Sequence, residues 1–257
     1  MSARSTDPGD YQDVARPLAA MAKDFPGGHE IAPHRHKRAQ LIFAAHGVMA
    51  VKTAQGTWVV PPNRALWVPA ETEHAIRMCG AVAMRTLYVR SGAGALPAAC
   101  CVVAVSPLLR ELILRAVELP VLYDESGAAG RIMALILDEI RALPVLPLHL
   151  PWPEDERLRR VCAAIRTAPA AERTLEQWGE AAGASSRTLA RLFRKETGMS
   201  FGAWRQQARL LEALRRLAIG EAVTNVALDL GYQSPSAFTN MFRRALGRAP
   251  TRYFVES

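Results

Sequence analysis

The spacing of apolar residues changes period along this chain. From Leu18 to Val105, apolar residues come in short runs such as GVMAVKT, GTWVV, RALWVPA and VAMRTLYV. Turn residues separate them: Pro26-Gly27-Gly28, His46-Gly47, Gln55-Gly56, Pro61-Pro62-Asn63 and Cys79-Gly80. Short strands at close, regular spacing predict a small antiparallel β-barrel or sandwich. From Ser106 the period becomes helical. SPLLRELILRAVEL puts Leu109, Leu112, Ile113 and Ala116 on one face behind a Ser-Pro start, and GRIMALILDEIRAL (Gly130 to Leu143) predicts a second, more apolar helix. Such a pair either covers the sheet or makes a dimer interface. Pro144, Pro147, Pro151 and Pro153 then predict a linker that resists helix.

Beyond it the pattern is helical almost throughout. Helices are predicted over Glu154–Thr167, from Thr174 (with Gln177 in the capping-box position), from Ser185, over Phe201–Leu217, over Thr224–Leu230, and from Ser234 to about Leu246. Two stretches repeat one design: TLEQWGEAAGASSRTLARLFRKETG and VTNVALDLGYQSPSAFTNMFRRALG. In each, a short helix turns at a glycine (Gly183, Gly231) into a second helix opened by serine. This is a helix-turn-helix, which lays its second helix in the DNA major groove. One copy is weak evidence; two copies joined by one long helix are specific. Such a helix would set the reading helices about one DNA turn apart, ~34 Å.

Charge agrees with this reading. The net charge is +8, and residues 151–257 hold 17 Lys+Arg against 11 Asp+Glu, so most of the excess lies with the helix-turn-helix pair, as phosphate binding requires. The four cysteines, Cys79, Cys100, Cys101 and Cys162, form no C-x-x-C pair and read as free thiols of a reducing cytoplasm. The start, MSARSTDPGDYQDVARP, has no apolar run, so no leader is expected, and no stretch of about 18 apolar residues predicts a membrane span.

In the first reading helix, Leu189, Leu192 and Phe193 form the core stripe, leaving Arg187, Thr188, Arg191, Arg194 and Lys195 for DNA. Arg187 and Arg191 are four apart near the helix start, suited to two-pronged hydrogen bonds with guanine; Arg194 and Lys195 suit phosphate. In the second, Phe238, Met241 and Phe242 form the stripe; Ser236, Thr239 and Asn240 can approach bases and Arg243 a phosphate. The segment from about Glu154 to Phe254 resembles the DNA-binding domain of the AraC/XylS family of bacterial transcription regulators. Gly231, Tyr232, Ser234, Ser236, Phe238, Phe242, Arg243, Gly247 and Pro250 all fall on the pattern G-[YF]-x-[SD]-x-S-x-F-x-x-x-F-[KR]-x-x-x-G-x-x-P. Phe254 departs from it, standing where the family often has arginine.

The N-terminal region carries His34, His36, Gln40 and His74. Two residues apart on a strand, His34 and His36 would share a face, and Gln40 would join them. The spacing resembles the cupin motif G-x5-H-x-H-x3-E-x6-G, here Gly28, His34, His36, Gln40 and Gly47, with Gln in place of Glu; the second cupin motif matches only in part. That resemblance implies a cupin-like sensor domain. Its histidines and Gln40 would hold a divalent metal ion, or line an organic effector pocket with Trp58 and Trp67.

The expected architecture is therefore α+β. Residues 1–105 form a cupin-like β-barrel with an N-terminal arm, 106–153 a helix pair for dimerisation and a linker, and 154–257 an all-α domain with two helix-turn-helix units. The expected function is a cytoplasmic, non-enzymatic, homodimeric regulator. It would bind double-stranded promoter or operator DNA, respond to a small-molecule or metal effector, contact RNA polymerase if it activates, and have no membrane partner. Two alternatives stay open: a constitutive DNA-binding protein whose β domain only dimerises, and a metal-dependent cupin enzyme, against which the missing carboxylate counts.

Overall fold

The computed structural model describes residues 5–93, 97–141 and 143–254. Residues 1–4 of the expected arm and Ala142 of the second predicted helix lie outside them. After a 3-10 turn (Pro8–Tyr11) come β1 (Leu18–Phe25), β2 (Glu30–His34), β3 (Ala39–Thr53), β4 (Gly56–Val60), β5 (Arg64–Val68), β6 (His74–Val89) and β7 (Cys101–Ala104). Then follow α1 (Pro107–Ala116), α2 (Ala128–Arg141), β8 (Val145–Leu146) and β9 (His149–Pro151). The remainder is helical: α3 (Glu156–Thr167), α4 (Leu175–Ala182), α5 (Ser186–Thr197), α6 (Phe201–Ala218), α7 (Val223–Asp229), α8 (Pro235–Leu246) and α9 (Pro250–Tyr253). The chain divides into two compact units, Met1–Thr53 with Val60–Pro147, and Ala54–Val59 with Leu148–Ser257.

The first unit is built on an antiparallel sheet in the order β1-β6-β3-β5-β7-β8, with β2 also on β6. Its two long strands, β3 and β6, bend where their register shifts between Ala44 and Val48. Gly47 makes the bend possible. Its φ is +81°, and a Cβ there would stand 2.2 Å from the Ala81 carbonyl oxygen, so no side chain fits.

Parity along β3 and β6 decides what each face meets. Leu41 pairs with Leu87 and with Trp67, and Phe43 with Arg85 and Ala65. Cross-strand partners project to the same side, and Leu41, Phe43, Trp67, Leu87 and Val89 share one core with Leu109 and Ile113 of α1 and with Met133, Ile136 and Ile140 of α2. Burying each of these side chains is worth about 1.5–3 kcal/mol. The stripe of the helix pair is therefore committed to the sheet and is not free to be a dimer interface. On its outer side Leu108 and Leu135 remain exposed.

In the second unit, β4 pairs with β9, and Trp58 stacks on His149 with ring centroids 4.1 Å apart. The proline-rich segment, read as a linker that resists helix, contains no helix and carries the short strands β8 and β9. Proline excludes helix but is tolerated in short edge strands. The indole of Trp204 on α6 donates to the Pro151 carbonyl at 3.0 Å, joining the strand pair to the helices.

Five helices of this unit, α3, α4, α5, α6 and α8, open on a capping side chain. Asp155, Thr174, Ser185, Ser200 and Ser234 accept hydrogen bonds from backbone amides of the first turn, and Thr174 with Gln177 completes a capping box. Phe193 and Phe238 are fully buried, whereas Met241, expected in the core stripe of α8, is only half-buried. Gly231 turns α7 toward α8 at φ +77°, where a Cβ would approach the Ala170 Cα to 2.8 Å. Arg216 binds Glu221 and Asp229, tying the end of α6 to α7.

Phe193→Ala should cost about 3–5 kcal/mol of stability. Arg191→Ala, exposed on the same helix, should stay within about 0.5 kcal/mol. Chemical denaturation followed by tryptophan fluorescence and circular dichroism compares the two.

Candidate effector site and nucleic-acid interface

Helix α5 is held by its apolar stripe, Leu189, Leu192 and Phe193, all buried. Arg187, Arg191 and Arg194 follow at helical spacing on the side away from it, and with Lys195 all are exposed. Among the described residues none of these four makes an ion pair, whereas Arg157, Arg215 and Arg216 of the same unit are each matched with a carboxylate. An exposed arginine face without internal partners keeps its donors available for an external anion. Thr188 is different. It is half-buried, its amide donates to Ser185 Oγ at 3.1 Å, and the two hydroxyls lie 2.9 Å apart. Its polar atoms serve the start of the helix.

On α8, Ser236, Asn240 and Arg243 are exposed and Thr239 is half-buried. Arg243 Nη2 donates to Asn240 Oδ1 at 3.4 Å, a bond that does not use the Asn240 amide nitrogen. Sequence reasoning missed Arg209 of α6. It is buried, donates to the Pro169 carbonyl at 2.8 Å, and its guanidinium lies 5.6 Å from the ring centre of Tyr232. It supports the turn at Gly231 from below.

In the first unit three histidines meet. His34, at the end of β2, is the register partner of His74, at the start of β6. The ring centroids lie 4.3 Å apart for His34–His74, 4.9 Å for His34–His36 and 5.6 Å for His36–His74. His36 falls between β2 and β3, so the three converge through a turn and not because two share a strand face. That turn is pinned by the Glu71 amide, which donates to the His36 carbonyl at 2.8 Å. His34 Nδ1 lies 2.8 Å from the Ala32 carbonyl and His74 Nδ1 2.9 Å from that of Thr72. A carbonyl only accepts, so Nδ1 carries the proton in both rings and Nε2 carries the lone pair.

Tyr88 closes the other side, its ring edge-on to His36 at 5.2 Å. Gln40 is its register partner and therefore faces the same way. His36 Nε2, His74 Nε2, Gln40 Oε1 and the Tyr88 hydroxyl are all buried and lack a hydrogen-bond partner among the described residues. Burial, and then the neighbouring imidazoles, lower the His36 pKa to about 4. Burial likewise lowers His74 to about 4, against the pull of its bond to Thr72. Tyr88 is pushed upward by burial. His36, His74 and Tyr88 are therefore neutral at physiological pH.

The two tryptophans expected to line this pocket do not join it. Trp67 pairs with Leu41, one residue out of phase with Gln40, and so points into the core shared with α1 and α2. Trp58 stacks on His149 in the other unit. Tyr11 stands nearer, fully buried with its ring stacked 5.9 Å from that of Tyr88. The segment after Tyr11 is held by Arg38, whose guanidinium donates to the carbonyls of Gln12, Val14 and Arg16. Nothing in the sequence marked Arg38, because an arginine bound only to backbone carbonyls leaves no partner to search for.

Known proteins carry both halves of this arrangement. The profile described as AraC-like ligand binding domain matches residues 22–119, and that described as Helix-turn-helix domain matches residues 178–255. The HTH-type transcriptional regulator NimR of Escherichia coli is 36% identical over 222 residues, 86% of this chain and 81% of NimR. The chain belongs to the AraC family of transcription regulators. The HTH-type transcriptional regulator RipA of Corynebacterium glutamicum is 36% identical over 103 residues, 40% of this chain and 31% of RipA. The regulatory protein SoxS of Escherichia coli is 39% identical over 66 residues, 25% of this chain and 62% of SoxS. As an AraC-family regulator the chain joins a ligand-binding domain to a DNA-binding one. No helix among the described residues is long and apolar enough to cross a membrane.

Arg38→Ala should release the segment that carries Tyr11. Chymotryptic cleavage after Tyr11, followed by mass spectrometry, should be faster in the variant; equal rates would show that Arg38 does not hold that segment.

Proposed function

We propose that this AraC-family regulator reads double-stranded operator DNA with α5 and α8 and changes its DNA affinity when an effector occupies the site around His36 and Tyr88. The observation that carries the DNA half is the unpaired arginine face of α5. Arg187 and Arg191, near the start of the helix, address base edges, while Arg194, Lys195 and Arg243 neutralise phosphates. Asn240 suits adenine through its N6 and N7, with Ser236 and Thr239 beside it. Thr188 acts through the start of α5 and not on a base. The effector half is supported by four buried polar atoms without a partner among the described residues, which a small molecule or a metal ion would supply.

The protein acts in the cytoplasm, as a regulator and not an enzyme, and as a homodimer. Leu108 and Leu135, exposed on the outer side of the helix pair, are the self-association surface. Where the operator places it beside a promoter as an activator, RNA polymerase is a further partner.

Selection of binding sequences from a random duplex pool, followed by fluorescence anisotropy, tests the reading. Arg191→Ala should lose about 1–3 kcal/mol on the selected site and relax preference at one base position. Uniform loss on all sequences would reduce Arg191 to a phosphate contact. In sedimentation velocity at micromolar concentration, the wild type should run as a dimer and Leu108→Glu/Leu135→Glu as a monomer; a monomeric wild type would remove the dimer from the proposal.

A further inference from the structure

The histidine cluster is a stronger statement than a polar pocket. One ring nitrogen from each of His34, His36 and His74 lies within 4.8 Å of the other two. In His34 and His74, Nδ1 is already spent on a backbone carbonyl, which turns the Nε2 lone pair away from the chain. His36 Nε2 and His74 Nε2 are buried with no hydrogen-bond partner among the described residues. Leaving a buried acceptor unsatisfied costs about 1–3 kcal/mol each. A donor group could satisfy one such lone pair, but a cation at the centre satisfies both and takes His34 as its third ligand. Tetrahedral bonds of about 2.0–2.1 Å place ligand nitrogens roughly 3.3 Å apart, so small ring rotations close the set. The carbonyls of Ala32 and Thr72 would then act as the outer partners that fix ring orientation and raise imidazole basicity in metal sites.

The nature of the ligands selects the ion. Three neutral imidazoles suit zinc, nickel, cobalt, copper or iron, and not magnesium or calcium, which demand oxygen. No carboxylate belongs to the group. A divalent ion held by three neutral ligands keeps its full +2 charge in a buried place, and three protein ligands leave at least one position open. Both favour an oxygen ligand from outside, water or hydroxide where no other molecule is bound and an anionic oxygen where one is. Gln40 Oε1 and the Tyr88 hydroxyl, buried and unpartnered, face the side where the rest of such a molecule would lie. Tyr11, stacked on Tyr88, covers it.

We propose that His34, His36 and His74 bind a divalent transition-metal ion through Nε2, and that the effector is a small organic anion whose oxygen completes the coordination of that ion. This rests on the reading of the first unit as the effector site and names the chemistry of its ligand. It also gives Gln40 a different part from that of a metal ligand: its buried Oε1, an acceptor, takes a hydroxyl or N–H donor elsewhere on the organic anion.

The test is made on full-length protein purified without a histidine tag and stripped with chelator. Cobalt(II) is titrated in and its visible d–d absorption recorded, with elemental analysis after zinc loading. One equivalent per chain is expected, displaced by zinc. Binding should be lost in His34→Gln and in His34→Ala/His36→Ala, and retained in His29→Ala/His46→Ala, whose histidines are exposed. His34 is only half-buried, so its glutamine variant should fold, as circular dichroism and operator binding would confirm. Absence of stoichiometric binding in the wild type, or equal binding in the His34→Gln variant, overturns the metal site. Azide and acetate should each shift the cobalt spectrum at millimolar concentration. An unchanged spectrum with metal bound overturns the open position and with it the anionic effector. Operator affinity is read in parallel. A metal site that forms without changing operator affinity, with or without added carboxylates, would keep the ion and remove the effector reading; a wild type that binds no metal yet changes operator affinity with added carboxylates would do the opposite.

Discussion

Side-chain alternation along β3 and β6 is the constraint on which the first unit depends. A strand shows one face with every second residue and the opposite face with the rest, so a shift of a single position exchanges the two. In β3, Leu41 and Phe43 enter the apolar core while Gln40 enters the polar cluster; in β6, Leu87 and Val89 take the first role and Tyr88 the second. The core residues and the helix pair supply the favourable burial. On the polar face His36, His74, Gln40 and Tyr88 each bring a buried atom without a partner among the described residues, and such atoms are costly. In the reading proposed above, that cost is offset by the effector. The same alternation therefore makes the unit stable on one side and receptive on the other.

The second unit solves a different problem: presenting charge without collapsing on it. Arginine is matched internally where it fastens helices together, as Arg216 does with Glu221 and Asp229, and unmatched where it faces outward on α5. The buried phenylalanines beneath, Phe193 in one reading helix and Phe238 and Phe242 in the other, hold the helices so that the exposed rows stay aligned. Serine and threonine caps start the helices at fixed residues, which matters because a one-residue change in a helix start rotates its outward row by about 100°.

Most of the helical half was legible in the sequence. The apolar period, the caps and the glycines at the turns are local signals, and the structure needs little else to place α4 to α8. The strands were legible as strands. What could not be read was which distant segments meet. His36 reaches His34 and His74 through a turn, an outcome that spacing along one strand reached by the wrong route. Trp67 was assigned to the pocket because it is aromatic and near in sequence, yet its position relative to Gln40 sends it to the other face. Arg38 and Tyr11 were invisible because their partners are backbone carbonyls and a ring 77 residues away.

The pairing of β4 with β9 has a consequence for how such proteins can be taken apart. Ala54–Val59 lies deep in the first half of the sequence yet belongs to the unit that carries the reading helices. The polypeptide therefore passes between the two units three times, at residues 53–54, 59–60 and 147–148, and not once at a linker. A fragment begun after Pro153 would keep every helix-turn-helix residue but lose Pro151, the acceptor of the Trp204 indole, and the strand pair joined to it. Exchange of sensor domains between relatives faces the same difficulty. A single crossover would bring a foreign hairpin onto the β9 side, so recombination has to carry both segments or leave the new protein with a mismatched seam.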